Sequence, residues 1–172
     1  MIIRPSISIS RSLTLQIPAA RRTFLDQLSH TQKFYANVRT PEELHTLTLL
    51  SAAEDKPLIT LWTAKWCSTC QAVAPLVRGL IEERVGINHG GLGYVEVEMD
   101  AATIGDLPIT FRITSMPTLL AFSRQEAQLE TKITRPEQLK DKEFLRNWLI
   151  SEAKRGGRAG GAGGKSFGGL FG

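Results

Sequence analysis

The sequence predicts an α/β domain: a central mixed β-sheet with helices on both faces. Three observations carry that prediction. Between Phe34 and Ala153, strand-like and helix-like segments alternate in the order βαβαβαββα. The segment Pro57–Thr63 (PLITLWT) is a near-continuous apolar and β-branched run, as a strand buried on both faces requires. The segments around it carry helix start signals and apolar residues at helical spacing.

Each element has its own justification. Phe34-Tyr35-Ala36-Asn37-Val38 reads as a short first strand. Thr40-Pro41-Glu42-Glu43 then opens a helix. Thr40 can cap it, Pro41 suits its first position, and Glu43 completes a capping box. Leu44, Leu47 and Leu50 follow at helical spacing, with Leu49 widening the apolar face. After the apolar strand 57–63, a helix is expected from Cys67 to about Arg84, with Pro75 inside it as a bend. Gly86–Gly93 is a loop, and Tyr94–Met99 (YVEVEM) alternates as a strand does. Ile104–Phe111 forms a short helix or turn around Pro108. Thr118–Phe122 is a strand, with Gln128–Ile133 as its partner across a turn. Pro136–Ala153 closes the order as an amphipathic helix, with Leu139, Phe144, Leu145, Trp148 and Leu149 along one side.

The chain has 172 residues, which suits one domain with tails. No apolar run approaches the ~20 residues of a membrane-spanning helix, so no membrane span is expected. The overall charge of +4 misleads, because the bases sit at the ends. Residues 34–153 hold twelve basic and sixteen acidic residues, a net of −4, which argues against a nucleic-acid-binding core. Residues 1–33 hold five bases and one acid, interspersed with serines. That composition fits a mitochondrial transit peptide, hence a mitochondrial, matrix location. Its apolar residues between Ile7 and Ile17 nevertheless alternate at a strand period, so a strand-forming or disordered extension stays open. At the other end, residues 156–172 hold nine glycines. A flexible tail is expected there, with a short docking motif through Phe167, Leu170 and Phe171 as the alternative. The domain itself is expected to span 34–155.

Both cysteines fall in one C-x-x-C, Trp66-Cys67-Ser68-Thr69-Cys70. The apolar strand runs into it and a helix leaves from it, and this context gives the motif its specificity. At a helix N-terminus Cys67 meets the positive end of the backbone dipole and unsatisfied amide donors, both of which favour a thiolate. Cys70 lies one turn on, shielded, with its sulfur close enough to bridge. Cys67 is thus the nucleophile and Cys70 the resolving thiol of a thiol–disulfide exchange. A metal half-site would need two more ligands. The candidates His30, His45 and His89 do not stand at metal-like spacing, so no metal is expected. A redox-silent pair on a binding module is the other alternative. Thr69 before Cys70 keeps an amide hydrogen and adds a hydroxyl, and donors near the thiolate would make the disulfide a stronger oxidant.

About fifty residues later, Ser115-Met116-Pro117-Thr118 places a proline at a strand start, where a cis bond is common. Together, WTAKWCSTC after a buried strand, the short helix ending Phe111-Arg112-Ile113, and SMPTLLAF resemble the thioredoxin family from Phe34 to Ala153. The resemblance implies the thioredoxin fold, with Pro117 cis and facing the dithiol. It also implies a substrate-binding wall of Met116 and Pro117 beside Cys67, with Trp66, Ser68 and Thr69 completing the contact surface. It implies protein disulfides as substrates, the Cys67–Cys70 disulfide as redox group with no bound cofactor, and a flavin-containing thioredoxin reductase or the glutathione system as electron source.

The departures from the family pattern matter as well. The buried Asp that handles the resolving thiol's proton is replaced by Leu61, and the Lys that often pairs with it by Glu96. Glu96 is therefore a candidate proton acceptor for Cys70. The alternative is that Glu96 faces solvent or pairs with a lysine, since Glu98 shares its face by alternation. Arg124-Gln125-Glu126 stands where a turn glycine is expected, and Thr134 where a glycine usually lines the substrate groove. The loop at His89-Gly90-Gly91 is longer than usual. These features predict an oxidoreductase with a restricted partner set. The competing function is a thioredoxin-fold interaction module in a mitochondrial assembly.

Overall fold

A computed structural model describes residues 31–156. Residues 1–30 of the expected transit peptide and most of the Gly-rich tail lie outside the described residues; Lys33, assigned to the extension by composition, opens the first strand, paired with Gly93. Five strands form one sheet: β1 (Lys33–Phe34), β2 (Leu58–Thr63), β3 (Gly93–Glu98), β4 (Thr118–Ser123) and β5 (Glu126–Ala127). The helices are α1 (Pro41–Ala53), α2 (Ser68–Glu82), α3 (Leu107–Thr110), α4 (Pro136–Lys140) and α5 (Lys142–Gly156). The sheet order is β1-β3-β2-β4-β5. β1, β3 and β2 run parallel, while β4 is antiparallel to both β2 and β5. The sheet is mixed, as its sequence pattern predicts.

The central place of β2 explains its composition. It pairs with β3 on one side and β4 on the other, so its inner residues meet helices above and below. Ile59 and Leu61 face a core with Val73, Val77 and Leu80 of α2 and Leu145 and Leu149 of α5. Leu58 and Trp62 face the second core, with Leu44 of α1 and Leu107 of α3. The Trp62 indole N–H donates to Thr60 Oγ1 at 2.9 Å, and that hydroxyl donates to the Leu120 carbonyl at 2.8 Å. The polar atoms on this buried strand are thereby matched. Truncating a fully buried leucine such as Leu80 would cost about 2–5 kcal/mol.

The structure corrects several expectations. The first strand is only two residues long. After Tyr35 the chain leaves the ladder, and Val38 touches it again as a single bridge to Val97. Helix α1 has its capping box at Thr40 and Glu43, but it buries Leu44, Thr48 and Ser51 and leaves Leu49 and Leu50 exposed. Thr48 and Ser51 can occupy that face because their hydroxyls bond to the carbonyls of His45 and Lys56. The partner of β4 is β5, not a strand over 128–133. The chain continues through a 3-10 turn at Leu129–Thr131 and returns as one bridge between Ile133 and Leu119. The last helix is two helices, broken at Asp141, whose carboxylate accepts from the N–H groups of Glu143 and Phe144 at 2.9 and 3.1 Å. Gly156, assigned to the tail by composition, ends α5 and is buried. A Cβ there would lie 2.4 Å from Pro57 Cγ.

Candidate active site

Strand β2 delivers the chain to the site, and its end is held firmly. The Thr63 carbonyl accepts from Met99 N–H at 2.8 Å. Lys65 N–H then donates to Asp100 Oδ2 at 3.0 Å, and the Lys65 carbonyl accepts from Gln71 Nε2 at 2.9 Å. The four residues between strand and helix are thus tied to the loop after β3 and to the first turn of α2. Cys67 is the N-cap residue of α2, one position before the helix proper, with φ −87° and ψ 102°. Its sulfur takes the capping role usually filled by an oxygen, accepting the Cys70 N–H at 3.2 Å.

The two cysteines are joined, with an S–S distance of 2.13 Å and χ3 of 77°. They are not equivalent. Cys67 retains 9% of its surface and Cys70 only 1%. On reduction, a negative sulfur at Cys67 would face the Cys70 amide and the positive end of a 15-residue helix. Amide donors and the positive helix end both favour the thiolate form of such a sulfur. The arrangement can therefore present one nucleophilic sulfur at the surface and keep a second behind it.

Three further segments meet here. Met116 packs on Ala64, Cys67 and Cys70 as a small cluster separate from the two main cores. The Met116–Pro117 peptide bond is cis. Pro117 is buried, and the Thr118 hydroxyl donates to the Ser115 carbonyl at 2.7 Å, which fixes this turn to the start of β4. Trp66 projects outward with 72% of its surface exposed; Ser68 is exposed and Thr69 half-buried. Among the described residues, no group of three or more His, Cys, Asp or Glu side chains could hold a metal ion, and no helix is long and apolar enough to cross a membrane.

Glu96 sits in register beside Leu61, on the sheet face that Tyr94 shares by alternation. It is half-buried, and the Tyr94 hydroxyl donates to its Oε1 at 3.3 Å. Burial and this carboxylate raise the Tyr94 phenol well above its usual range. Glu98 does not lie on a solvated face with it. It is 5% exposed and accepts from Asn37 Nδ2, Arg39 Nε and Arg39 Nη2, each at 3.0 Å. Those hydrogen bonds hold its carboxyl down at about 2. Lys65, Asp100 and Gln71, which anchor the cysteine loop, do not stand out in the sequence. Their role rests on contacts such as Lys65 to Asp100, 35 positions apart.

Comparison with known proteins agrees with this geometry. The family model described as thioredoxin matches residues 38–147. A probable thioredoxin-2 from Caenorhabditis elegans is 27% identical over 123 residues, covering 72% of this chain and 75% of that protein. A thioredoxin from Chlamydia pneumoniae is 28% identical over 90 residues, covering 52% of this chain and 76% of its own. Among solved structures, a thioredoxin from Nicotiana alata superposes with a TM-score of 0.55 at 15% identity, over 70% of this chain and 93% of that one. Thioredoxin O1 from Arabidopsis thaliana in its oxidised state gives 0.54 at 19%, over 69% and 96%. Those two likenesses concern the fold. The family match spans both cysteines and the cis proline, so the chain belongs to the thioredoxin family and is a thiol–disulfide oxidoreductase.

Proposed function

We propose that this protein reduces or exchanges disulfides in polypeptide partners in the mitochondrial matrix, with Cys67 as nucleophile and Cys70 as resolving thiol. The observation that carries the division of roles is the unequal burial of the two sulfur-bearing residues across one helical turn. In the reducing direction, the Cys67 thiolate attacks one sulfur of the partner's disulfide. An S–S bond forms between Cys67 and the partner, and the partner's other sulfur leaves as a thiolate that takes a proton. Cys70, once deprotonated, attacks the Cys67 sulfur and expels the partner's second thiolate. The partner has gained two electrons and two protons, and the Cys67–Cys70 disulfide remains. A flavin-containing thioredoxin reductase or the glutathione system returns it to the dithiol.

Trp66, Ser68, Thr69, Met116 and Pro117 form the surface on which the partner chain lies. The exposure of Trp66 and the packing of Met116 against the cysteines support that reading. Glu96 serves as proton acceptor for Cys70. Its support is a half-buried position on the α2-facing side of the sheet, in register with Leu61. The matrix location rests on the basic, acid-poor composition of the first 33 residues.

Insulin reduction driven by dithiothreitol tests the activity. The wild type should accelerate it, Cys67→Ser should abolish the acceleration, and Cys70→Ser should accumulate a mixed disulfide through Cys67. A wild type no faster than dithiothreitol alone would overturn the reading. For Glu96→Gln, the pH–rate profile of disulfide formation is the readout, and an unchanged profile would remove Glu96 from the mechanism.

A further inference from the structure

We propose that the partner segment docking at the cysteines is acidic, and that Arg112, Lys132 and Arg135 are the cations that select it. The inference rests on the exchange reading above. The domain between the tails is net negative, yet three segments that run to the disulfide carry no acid. Residues 64–81, 107–125 and 131–136 contain six bases and no Asp or Glu.

The fold sorts those six bases. Arg78 lies over the Phe34 ring, 5.4 Å from its centroid, at the edge of the sheet. Arg124 is in the turn beyond Ser123, at the end of β4 away from Thr118. Lys65 is 3.6 Å from Glu98 and already paired. The other three lie on the two segments that flank the start of β4, Arg112 before it and Lys132 and Arg135 alongside it. The Lys132 ammonium donates to the Arg112 carbonyl at 2.5 Å, so these two residues adjoin. The antiparallel bridge between Leu119 and Ile133 sets the 131–136 segment beside the start of β4, so Arg135, two residues past the bridge, lies toward the Pro117 end, where Met116 packs on the disulfide. Arg112 and Arg135 are exposed, and none of the three makes an ion pair among the described residues.

The acids at the end of β3 and just after it are engaged with the cysteine loop and with Arg39. Glu98 is taken by Arg39 and Lys65, and Asp100 accepts the Lys65 amide. Glu130 and Glu137 lie at the outer ends of the 131–136 segment. The result is an apolar centre of Trp66 and Met116 with a cationic rim on one side. Such a rim steers an oppositely charged chain and fixes its register. A nucleic acid would also meet positive charge here, but it has no disulfide to offer Cys67.

The test uses three cystine-bridged peptides that differ only in flanking residues: acidic, neutral or lysine-rich. The full-length reduced protein should reduce the acidic peptide on the order of tenfold faster than the lysine-rich one at about 20 mM salt. The ratio should collapse toward one at about 500 mM. Arg112→Asp combined with Arg135→Glu should invert the preference, and aspartate tolerates the left-handed backbone at position 112 (φ 52°). Lys154→Glu, on the last helix, should leave the ratio unchanged. If the double variant does not fold, Arg135→Gln alone should reduce the ratio. Equal rates for all three peptides, with turnover intact, would overturn the acidic-partner proposal and leave the oxidoreductase reading standing. No reduction of any peptide would overturn both. A single-stranded oligodeoxynucleotide bound through the same arginines, with no peptide preference, would reassign the surface.

Discussion

The carboxylate of Glu98, at the end of β3, lies 3.6 Å from the ammonium of Lys65, two residues before Cys67, the more accessible cysteine. The same carboxylate takes Asn37 and both ends of the Arg39 guanidinium fork. One buried acid therefore ties the loop before α1 to the loop that carries the redox pair. This is a positional link, made by residues that are far apart in the chain.

That link predicts an acid sensitivity. The Glu98 carboxyl is held at about 2 by the Arg39 and Asn37 hydrogen bonds, below its ordinary value near 4.3. The unfolded chain binds the proton more readily than the native one. The stabilisation is thus fully present above the unfolded pKa and lost as pH falls from about 5 toward 2. Denaturant unfolding across this range should show a steep acid limb for the wild type and a shallower one for Glu98→Gln. Parallel limbs would remove Glu98 from the account.

Thr69, between the two cysteines, is expected to tune the poise of the dithiol. It occupies the second position of α2, where proline would fit without breaking a helical hydrogen bond. Thr69→Pro removes an amide donor next to the sulfurs. The reduced form should lose stabilisation, and the reduction potential should fall by on the order of 30 mV, a tenfold change in the equilibrium constant. Equilibration with glutathione, read by alkylation of the free thiols, measures it. A potential unchanged or raised would show that the Cys70 amide alone sets the poise.

The chemistry of this site was legible because it is local. A strand, two cysteines and a helix start follow one another within Leu58–Cys70, so spacing alone places both sulfurs on the first turn of α2. The sheet was legible for the same reason at β2, β3 and β4, whose runs are six residues each. The errors arose where tertiary contacts decide. Leu49 and Leu50 are apolar yet exposed, because α1 turns Thr48 and Ser51 inward, where their hydroxyls are satisfied by the His45 carbonyl of the same helix and the Lys56 carbonyl beyond it. Glu96 and Glu98 alternate on one face in sequence, but only Glu98 reaches Arg39. The break at Asp141 carried a readable cap signal, an acid two and three residues before the amides it bonds. A continuous amphipathic pattern from Leu139 to Leu149 hid it.

The hairpin between β4 and β5 has room for improvement. Ser123 pairs with Glu126, leaving Arg124 and Gln125 as a two-residue turn with φ of 52° and 70°. Both positive values suit the twist of the flanking strands, but Asn-Gly is the pair that adopts them at least cost. Replacing Arg124-Gln125 by Asn-Gly should stabilise the protein by about 1 kcal/mol, read as a higher denaturant midpoint at unchanged slope. Loss of stability would mean that Arg124 or Gln125 makes contacts that outweigh its backbone strain.

Glu152 is the one side chain in the described core whose chemistry works against folding. It is buried in α5, and neither carboxylate oxygen has a hydrogen-bond partner among the described residues. Arg155 stands 3.5 Å away but directs its Nη1 to Gln128 and Thr131 at 3.2 and 3.3 Å. Burial pushes the Glu152 carboxyl above its ordinary value, and the nearby Arg155 charge offsets this only in part. A raised folded pKa means that the native state binds the proton more readily than the unfolded chain. Relative to a neutral side chain, the burial is tolerated below the unfolded pKa, and its cost grows as pH rises through the folded pKa. Glu152→Gln removes the charge and keeps the shape. It should stabilise the protein at pH 7 by about 1 kcal/mol, with the gain vanishing near pH 4. Thermal unfolding at both pH values measures this, and an equal effect at the two would show that packing, not charge, decides at this position.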